Sequence, residues 1–246
     1  MTSIVYPYLH QKSQGEELKY SIRSVCKFAQ FDFEPVIIGD KPAWYSGKHI
    51  QVSAIRNRRF TRAFDIAKKL EIICGTASIS DDFVYMYDDQ YFVNPVELSA
   101  ITGAIAMSEI QKKRETRVGS EVWRELMNAT IDALLSSGHY KVYNYETHLP
   151  RVLNKRKLKL VMDAYNLIRT PLLFNTLYFN EFYANPRIEI EKSNPIKAGV
   201  YKPMSSDQIR NLCRDKLVLN NGERGWNHSF NLFLKNTFPE KCRFEL

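Results

Sequence analysis

Two adjacent carboxylates, Asp88 and Asp89, follow the apolar run Phe83-Val84-Tyr85-Met86 and precede a turn at Asn94-Pro95. The run reads as a buried strand. Carboxylates at the C-terminal end of such a strand in an α/β protein sit where these folds bind ligands. Two together suit Mg²⁺ or Mn²⁺, which take oxygen ligands and share them with substrate phosphates. The chemistry indicated is metal-assisted transfer from a nucleotide-activated substrate. The plainer reading is a strand-end turn with solvated carboxylates, because the chain holds 27 acidic residues and a second pair, Asp81-Asp82, stands just upstream.

A donor pyrophosphate also needs cations. Arg56, Arg58 and Arg59 precede a helical pattern that carries Lys68 and Lys69. Lys69 is placed to face the Asp88-Asp89 strand end, with solvent exposure as the alternative for any single lysine there. His148 lies in the mixed polar and aromatic segment Asn144-Tyr145-Glu146-Thr147-His148-Leu149-Pro150-Arg151. A neutral imidazole there would accept the proton of an acceptor hydroxyl, whereas a plain turn residue is the other reading. Arg151 and Arg169 are candidate phosphate clamps, since a guanidinium forks onto paired oxygens. Hydrolase triads, P-loop NTPases and zincins are excluded, because no nucleophile motif, glycine-rich phosphate loop or H-E-x-x-H is present.

The elements that must position these residues alternate in type. Ile4-Val5-Tyr6 reads as a strand ended by Pro7, and residues 16–28 as a helix with its glutamates in the first turn. Residues 35–40 read as a second strand, 49–52 as a short third, 64–74 as a helix and 83–87 as the next strand. Strand, helix, strand, helix, strand within 90 residues is the pattern of a parallel α/β sheet. Beyond Pro95, residues 104–107 suit a strand. Residues 112–117 form a basic surface run, and helices are expected over 121–135, 155–167, 206–213 and 226–236. One domain over 1–246 is expected, with a nucleotide-sugar half near 1–110 and an acceptor-binding, helical half near 111–246.

The chain has 246 residues and a net charge of +8, and its sequence pI is about 9.2. That balance favours anionic partners. Nucleic acid is disfavoured among them, since no zinc-finger spacing, RNA-binding signature or helix-turn-helix appears. Cys26, Cys74, Cys213 and Cys242 form no C-x-x-C pair. Reduced thiols, two of them in apolar helical patterns, fit a cytoplasmic compartment. No signal peptide or run of about 18 apolar residues is seen. Docking at the inner face of a membrane stays open.

Four segments taken in order resemble the Stealth family. That family includes bacterial capsular polysaccharide phosphotransferases and the animal lysosomal-enzyme N-acetylglucosamine-1-phosphotransferase. Ile4-Val5-Tyr6 with Glu16-Glu17-Leu18-Lys19-Tyr20-Ser21-Ile22-Arg23-Ser24-Val25 resembles the family's opening strand and its "D/N-E-L-R-Y-S-L-R-S-I" segment. Val36-Ile37-Ile38-Gly39-Asp40-Lys41-Pro42-Ala43-Trp44 resembles its next strand and "P-x-W" turn. Ser80 to Asp89 resembles "S-E-x-F-L-Y-x-N-D-D", and Tyr145 to Pro150 resembles the later "H-x-P" segment. The family's Asn before the two aspartates is Tyr87 here, and Pro7-Tyr8-Leu9-His10 stands where many members write "T-W-V-D-G".

The resemblance implies an α/β, glycosyltransferase-A-like fold with a mostly parallel central sheet flanked by helices and a helical C-terminal part. It implies transfer of a sugar phosphate from a nucleotide sugar, with a UDP-sugar favoured, to a hydroxyl of a glycan acceptor in capsular or surface polysaccharide synthesis. Carried over by position, Asp88 and Asp89 hold Mg²⁺ or Mn²⁺ and the donor, and His148 is the base. Arg23, Lys69 and Arg169 contact phosphate. Two alternatives remain open. One is a glycosyltransferase on the same fold that moves the sugar itself and releases nucleoside diphosphate. The other is a non-catalytic protein binding an anionic glycan or nucleic acid on a degenerate transferase fold.

Overall fold

The computed structural model describes residues 1–56, 59–110, 120–183, 187–188 and 196–246. Arg58 and the basic run 112–117 lie outside the described residues. The first half runs β1 (Thr2–Tyr8), α1 (Glu17–Phe28), β2 (Phe33–Gly39), β3 (Lys48–Gln51), α2 (Thr61–Gly75), β4 (Asp82–Tyr85), β5 (Gln90–Phe92), α3 (Leu98–Thr102), β6 (Ile105–Ala106) and β7 (Ser108–Ile110). The second runs α4 (Glu121–Ser136), β8 (Val142–Asn144), β9 (Arg151–Asn154), α5 (Lys155–Ala164), α6 (Phe174–Phe182), β10 (Arg187–Ile188), β11 (Lys197–Val200), α7 (Ser206–Cys213), β12 (Val218–Asn221) and α8 (His228–Thr237).

The central sheet has the order β3-β2-β1-β4-β9. Its first four strands are mutually parallel, and β9 adds antiparallel to β4 at the edge. A parallel sheet covered on both faces needs apolar side chains pointing both ways, so its strands read as continuous apolar runs. Ile4, Tyr6 and Tyr8 of β1 face α1, together with Ile37 of β2 and Val84 of β4. Val5, Val36, Ile38, Phe83 and Tyr85 face the opposite layer, where α2, α4, α5 and α6 pack.

Pro7 does not end β1, as the sequence reading expects. The Val5 carbonyl accepts from Met86 N, so odd-numbered residues of β1 face β4. The β1–β4 pairing stops at Val5 opposite Tyr85, so the N–H that Pro7 lacks falls where no partner strand remains.

The C-terminal part carries the expected helices and interleaves strands between them. β11-β12-β5 form a smaller sheet, parallel then antiparallel. It packs with α7 and α8 around Tyr20, Tyr91, Ile209, Leu219 and Phe230. β5 thereby ties the turn carrying Asp88 and Asp89 to the C-terminal layer.

Gly39 ends β2 at φ +126°, and a Cβ built there would stand 2.0 Å from the Tyr8 carbonyl oxygen and 3.2 Å from Lys69 Cε. That carbonyl is needed: it accepts from Asp40 N at 3.3 Å and from Lys69 Nζ at 3.2 Å. Gly39→Ala is therefore expected to destabilise the protein by about 2 kcal/mol or more, read as a fall in the urea midpoint at unchanged slope.

Candidate active site

Asp88 and Asp89 occupy the two central positions of the tight turn that joins β4 to β5. Gln90 N donates to the Tyr87 carbonyl at 3.3 Å, and the buried Gln90 side chain accepts from Tyr87 N at 3.0 Å. Ser21 of α1 donates to the Gln90 carbonyl at 2.5 Å, and Ser24 accepts from Phe92 N at 2.9 Å. Both carboxylates are thus presented at the C-terminal edge of the parallel strands, where open α/β sheets bind ligands.

The loop 145–149 brings His148 to them. His148 Nε2 lies 2.9 and 2.8 Å from the two Asp89 carboxylate oxygens. A carboxylate only accepts, so Nε2 carries a proton and donates it. In the tautomer that this bond selects, the lone pair stands on Nδ1. The imidazole stacks nearly parallel on Tyr87, at 5.2 Å between centroids and 4° between planes. His148 holds the left-handed conformation, φ 53°, which few residues other than glycine adopt. The surrounding bonds fix it there. Arg151 donates to the carbonyls of Ile105 and Tyr145 and to the Thr147 hydroxyl, Lys197 Nζ donates to the Thr147 carbonyl at 2.8 Å, and Thr176 of α6 donates twice to Glu146.

Glu17, read from the sequence only as a first-turn charge, is buried beside this cluster. Its carboxylate accepts from Asn221 Nδ2 at 2.7 Å and from Gln14 N at 2.6 Å. Burial pushes its carboxyl up to about 7 against those two bonds, and Asp88 and Asp89 push the same way. Burial, then the neighbouring Asp89, lifts Asp88 to about 6. Both carboxyls hold protons more tightly folded than unfolded. In the metal-free protein the unfolded chain releases its protons first as pH rises from about 4. Stability is therefore expected to fall through pH 6–7, by on the order of 2 kcal/mol. Denaturation in chelator at pH 5 and pH 7.5 measures this, and Glu17→Gln is expected to shrink the difference.

The other expected site residues are placed as follows. Lys69 is buried, its ammonium bound to Asp65 at 2.7 Å and to the Tyr8 carbonyl, so it stitches α2 to the end of β1. Arg151 is buried within the 145–147 loop and lies over Phe179 at 4.9 Å, and desolvation lowers it to about 10. Arg23 does not meet the cluster. Its guanidinium forks onto Glu245 at 2.6 and 2.8 Å and donates to the carbonyls of Phe238 and Pro239. Arg169 lies exposed on the turn between α5 and α6, Arg59 pairs with Glu125 of α4 at 2.5 Å, and Arg56 is exposed. Among the described residues, Arg62 approaches the site from α2, its guanidinium 6.0 Å from the Tyr87 ring. It is the second residue of α2 and the last of a run rich in arginine, and nothing in the sequence separates it from its neighbours. Among the described residues no three His, Cys, Asp or Glu side chains form a ready-made cation cage, and no helix is long and apolar enough to cross a membrane.

The galactosyltransferase LgtC, solved with donor and acceptor sugar analogues, superposes with a TM-score of 0.52 at 11% identity, covering 98% of this chain and 98% of that one. The chain has a glycosyltransferase-A-like α/β fold. The glycosyltransferase GlyE of Streptococcus pneumoniae TIGR4 is more distant, at a TM-score of 0.43 and 11% identity over 97% of this chain and 63% of that one. Its apo form gives 0.44 at 10% identity, over 99% and 64%. The chain thus spans a little under two thirds of the GlyE chain. No protein-family model and no curated protein matches the sequence. Asp88, Asp89 and His148 stand at the carboxyl ends of the parallel strands, the edge at which open α/β sheets in general bind ligands.

Proposed function

We propose that this chain is a transferase that moves a sugar from a nucleotide sugar to a hydroxyl of a glycan acceptor. The observation that carries the reading is the Asp89–His148 pair at the C-terminal edge of a glycosyltransferase-A-like sheet. Asp89 accepts the hydrogen bond from Nε2–H and holds the ring, so Nδ1 is the basic atom. An acceptor hydroxyl hands its proton to Nδ1 as its oxygen bonds to the anomeric carbon, and the nucleoside diphosphate leaves. Tyr87 fixes the plane of the imidazole, and Arg62 supplies positive charge at the mouth.

The donor set fits a divalent ion. Two carboxylates share one turn, and burial and its neighbour lift Asp88 to about 6, with Arg62 drawing it only partly back. Mg²⁺ is commonly held by one or two carboxylates and substrate phosphates rather than an all-protein cage. Asp88 and Asp89 would hold Mg²⁺ or Mn²⁺, which neutralises a pyrophosphate leaving group when bound. Asp89 has lone pairs enough to serve the ion and His148 together.

Transfer of a sugar phosphate is the second reading, favoured by the four ordered segments that resemble the Stealth family. In that reaction the acceptor attacks the donor's β-phosphorus and nucleoside monophosphate leaves. The transferring phosphoryl group asks for extra cations. Arg23, Lys69 and Arg151 are each engaged within the fold, which weighs toward transfer of the sugar alone. Phosphorus NMR of the protein with a panel of UDP- and other nucleotide sugars, Mg²⁺ or Mn²⁺ and glycan acceptors separates the two. Acceptor-dependent nucleoside diphosphate is the expected product. Nucleoside monophosphate with a new phosphodiester signal would replace the first reading with the second, and no turnover with any donor would sink both.

A further inference from the structure

After α8 the chain folds back, and residues 238–246 run between α1 and the turn 44–46. Ser46 N donates to the Phe244 carbonyl at 2.9 Å, and Leu246 N to the Trp44 carbonyl at 2.8 Å. A cavity of about 330 Å³ opens where this segment meets α1, with Arg23 and Cys26 on one side and Phe238, Pro239 and Cys242 on the other.

The two cysteines are held in register by the groups beside them. Arg23 and Cys26 stand one helical turn apart on one face of α1. Cys242 and Glu245 share a tight turn, closed by Glu245 N donating to the Cys242 carbonyl at 3.1 Å. Glu245 Oε1 accepts from Arg23 Nε at 2.6 Å and from Cys242 N at 3.0 Å. The fork therefore sets Cys242 against Cys26, and the two thiols stand within hydrogen-bonding reach of each other. Both residues are free, partly exposed and in the cavity wall, where a small oxidant enters.

The surroundings favour one sulfur as nucleophile. The Cys26 thiol donates to Cys242, the Phe244 N–H adds to it, and together they hold Cys242 below the usual thiol range against burial. The same contact, with burial, raises Cys26. The thiolate is the reactive form. Burial instead pushes Cys74 up to about 11 and Cys213 up to about 12, which leaves them poor nucleophiles.

We propose that Cys26 and Cys242 form a peroxide-responsive pair that closes to a disulfide and pins residues 238–246 to α1. The Cys242 thiolate attacks one oxygen of hydrogen peroxide and the O–O bond breaks. Cys242 becomes a sulfenic acid, and the departing hydroxide takes up a proton to leave as water. The Cys26 sulfur then attacks the sulfenic sulfur. The S–S bond forms, and the expelled hydroxide leaves as a second water with the Cys26 proton. The two thiols lose two electrons in all, and the peroxide gains them. A dithiol reductant reverses the bond by exchange. The crosslink closes nearly the whole chain into one loop, which restrains the unfolded ensemble far more than the folded one.

The test takes the full chain, reduces it with dithiothreitol, removes the reductant and adds equimolar hydrogen peroxide. After alkylation and digestion, mass spectrometry is expected to find the Cys26 and Cys242 peptides joined, with Cys74 and Cys213 alkylated as thiols. The melting temperature is expected to rise by about 5 °C or more and to return with dithiothreitol. Cys26→Ser is expected to leave Cys242 as a sulfenic acid that dimedone captures. Cys242→Ser is expected to leave Cys26 a thiol at the same dose, and melting curves of the reduced variants check that both fold. No joined peptide in the unaltered protein, or oxidation spread evenly over all the cysteines, would overturn the proposal. So would a joined pair with an unchanged or lowered melting temperature, which denies the clamp.

Discussion

Replacing Asp89 with Asn is expected to lower turnover by about a thousandfold or more, as when the carboxylate behind a catalytic histidine becomes an amide, while the melting curve stays close to that of the parent. The reason is the bond to His148. An amide presents one oxygen and one NH₂ group, so it either holds Nε2–H through a weaker neutral bond or turns its NH₂ toward the ring and draws the lone pair to Nε2. In the second case Nδ1 becomes the protonated nitrogen and the base disappears. Asp89 is about a quarter exposed and lies on a turn, so its loss leaves no buried charge behind. His148→Gln should fall nearly as far, and the double variant little further, because two groups acting as one unit are not additive. Asp88→Asn separates the roles. It is expected to raise the metal concentration needed for half-maximal rate without moving the acid limb of the pH–rate profile. Full activity in Asp89→Asn would remove both the base and the ion from this position.

The second large effect is on stability. Arg23→Ala is expected to destabilise the protein by about 3 kcal/mol, the usual cost of leaving one half of a buried ion pair alone. Arg23 and Glu245 side chains are 9% and 2% exposed, and their contact is a two-pronged fork of the strong, charge-assisted kind. The same guanidinium caps the carbonyls of Phe238 and Pro239 and lies 5.7 Å from the Tyr20 ring. Glu245→Ala should cost a similar amount, and a double-mutant cycle should show strong coupling. The contrast with a phosphate-binding role is sharp. A phosphate ligand would lose donor affinity at unchanged stability; Arg23→Ala is expected to lose stability with donor affinity retained in the folded fraction.

The central sheet was legible because its strands are buried on both faces. Ile4-Val5-Tyr6, Val36-Ile37-Ile38 and Phe83-Val84-Tyr85 are unbroken apolar runs, and α1 between the first two shows a clear stripe at Leu18, Ile22 and Val25. α6 was not legible for the opposite reason. Phe174 to Asn180 is buried all round, so its helical period leaves no polar face to mark it. β9 and β12 are four residues each and take their meaning from partners, β4 and β5, that lie 60 to 130 positions away in sequence. Within the site, the adjacency of Asp88 and Asp89 and the rarity of histidine sufficed to single out three residues. Sequence spacing could not tell which cations were free. Arg23, Lys69 and Arg151 carry the same charge as Arg62, and only the fold shows that the first three already have partners.

The fork between Arg23 and Glu245 joins positions 222 residues apart, and that span bears on how the chain is made. During synthesis α1 and its arginine emerge early and Glu245 late. Until then a guanidinium shaped for burial has no counter-charge, so the α1 face of the sheet has a reason to stay loosely packed and open to chaperones. Closing the fork therefore waits until residue 245 has emerged. A nascent chain stalled at residue 240 should be digested by protease within α1, and one extended far enough to free residue 245 from the ribosome should resist.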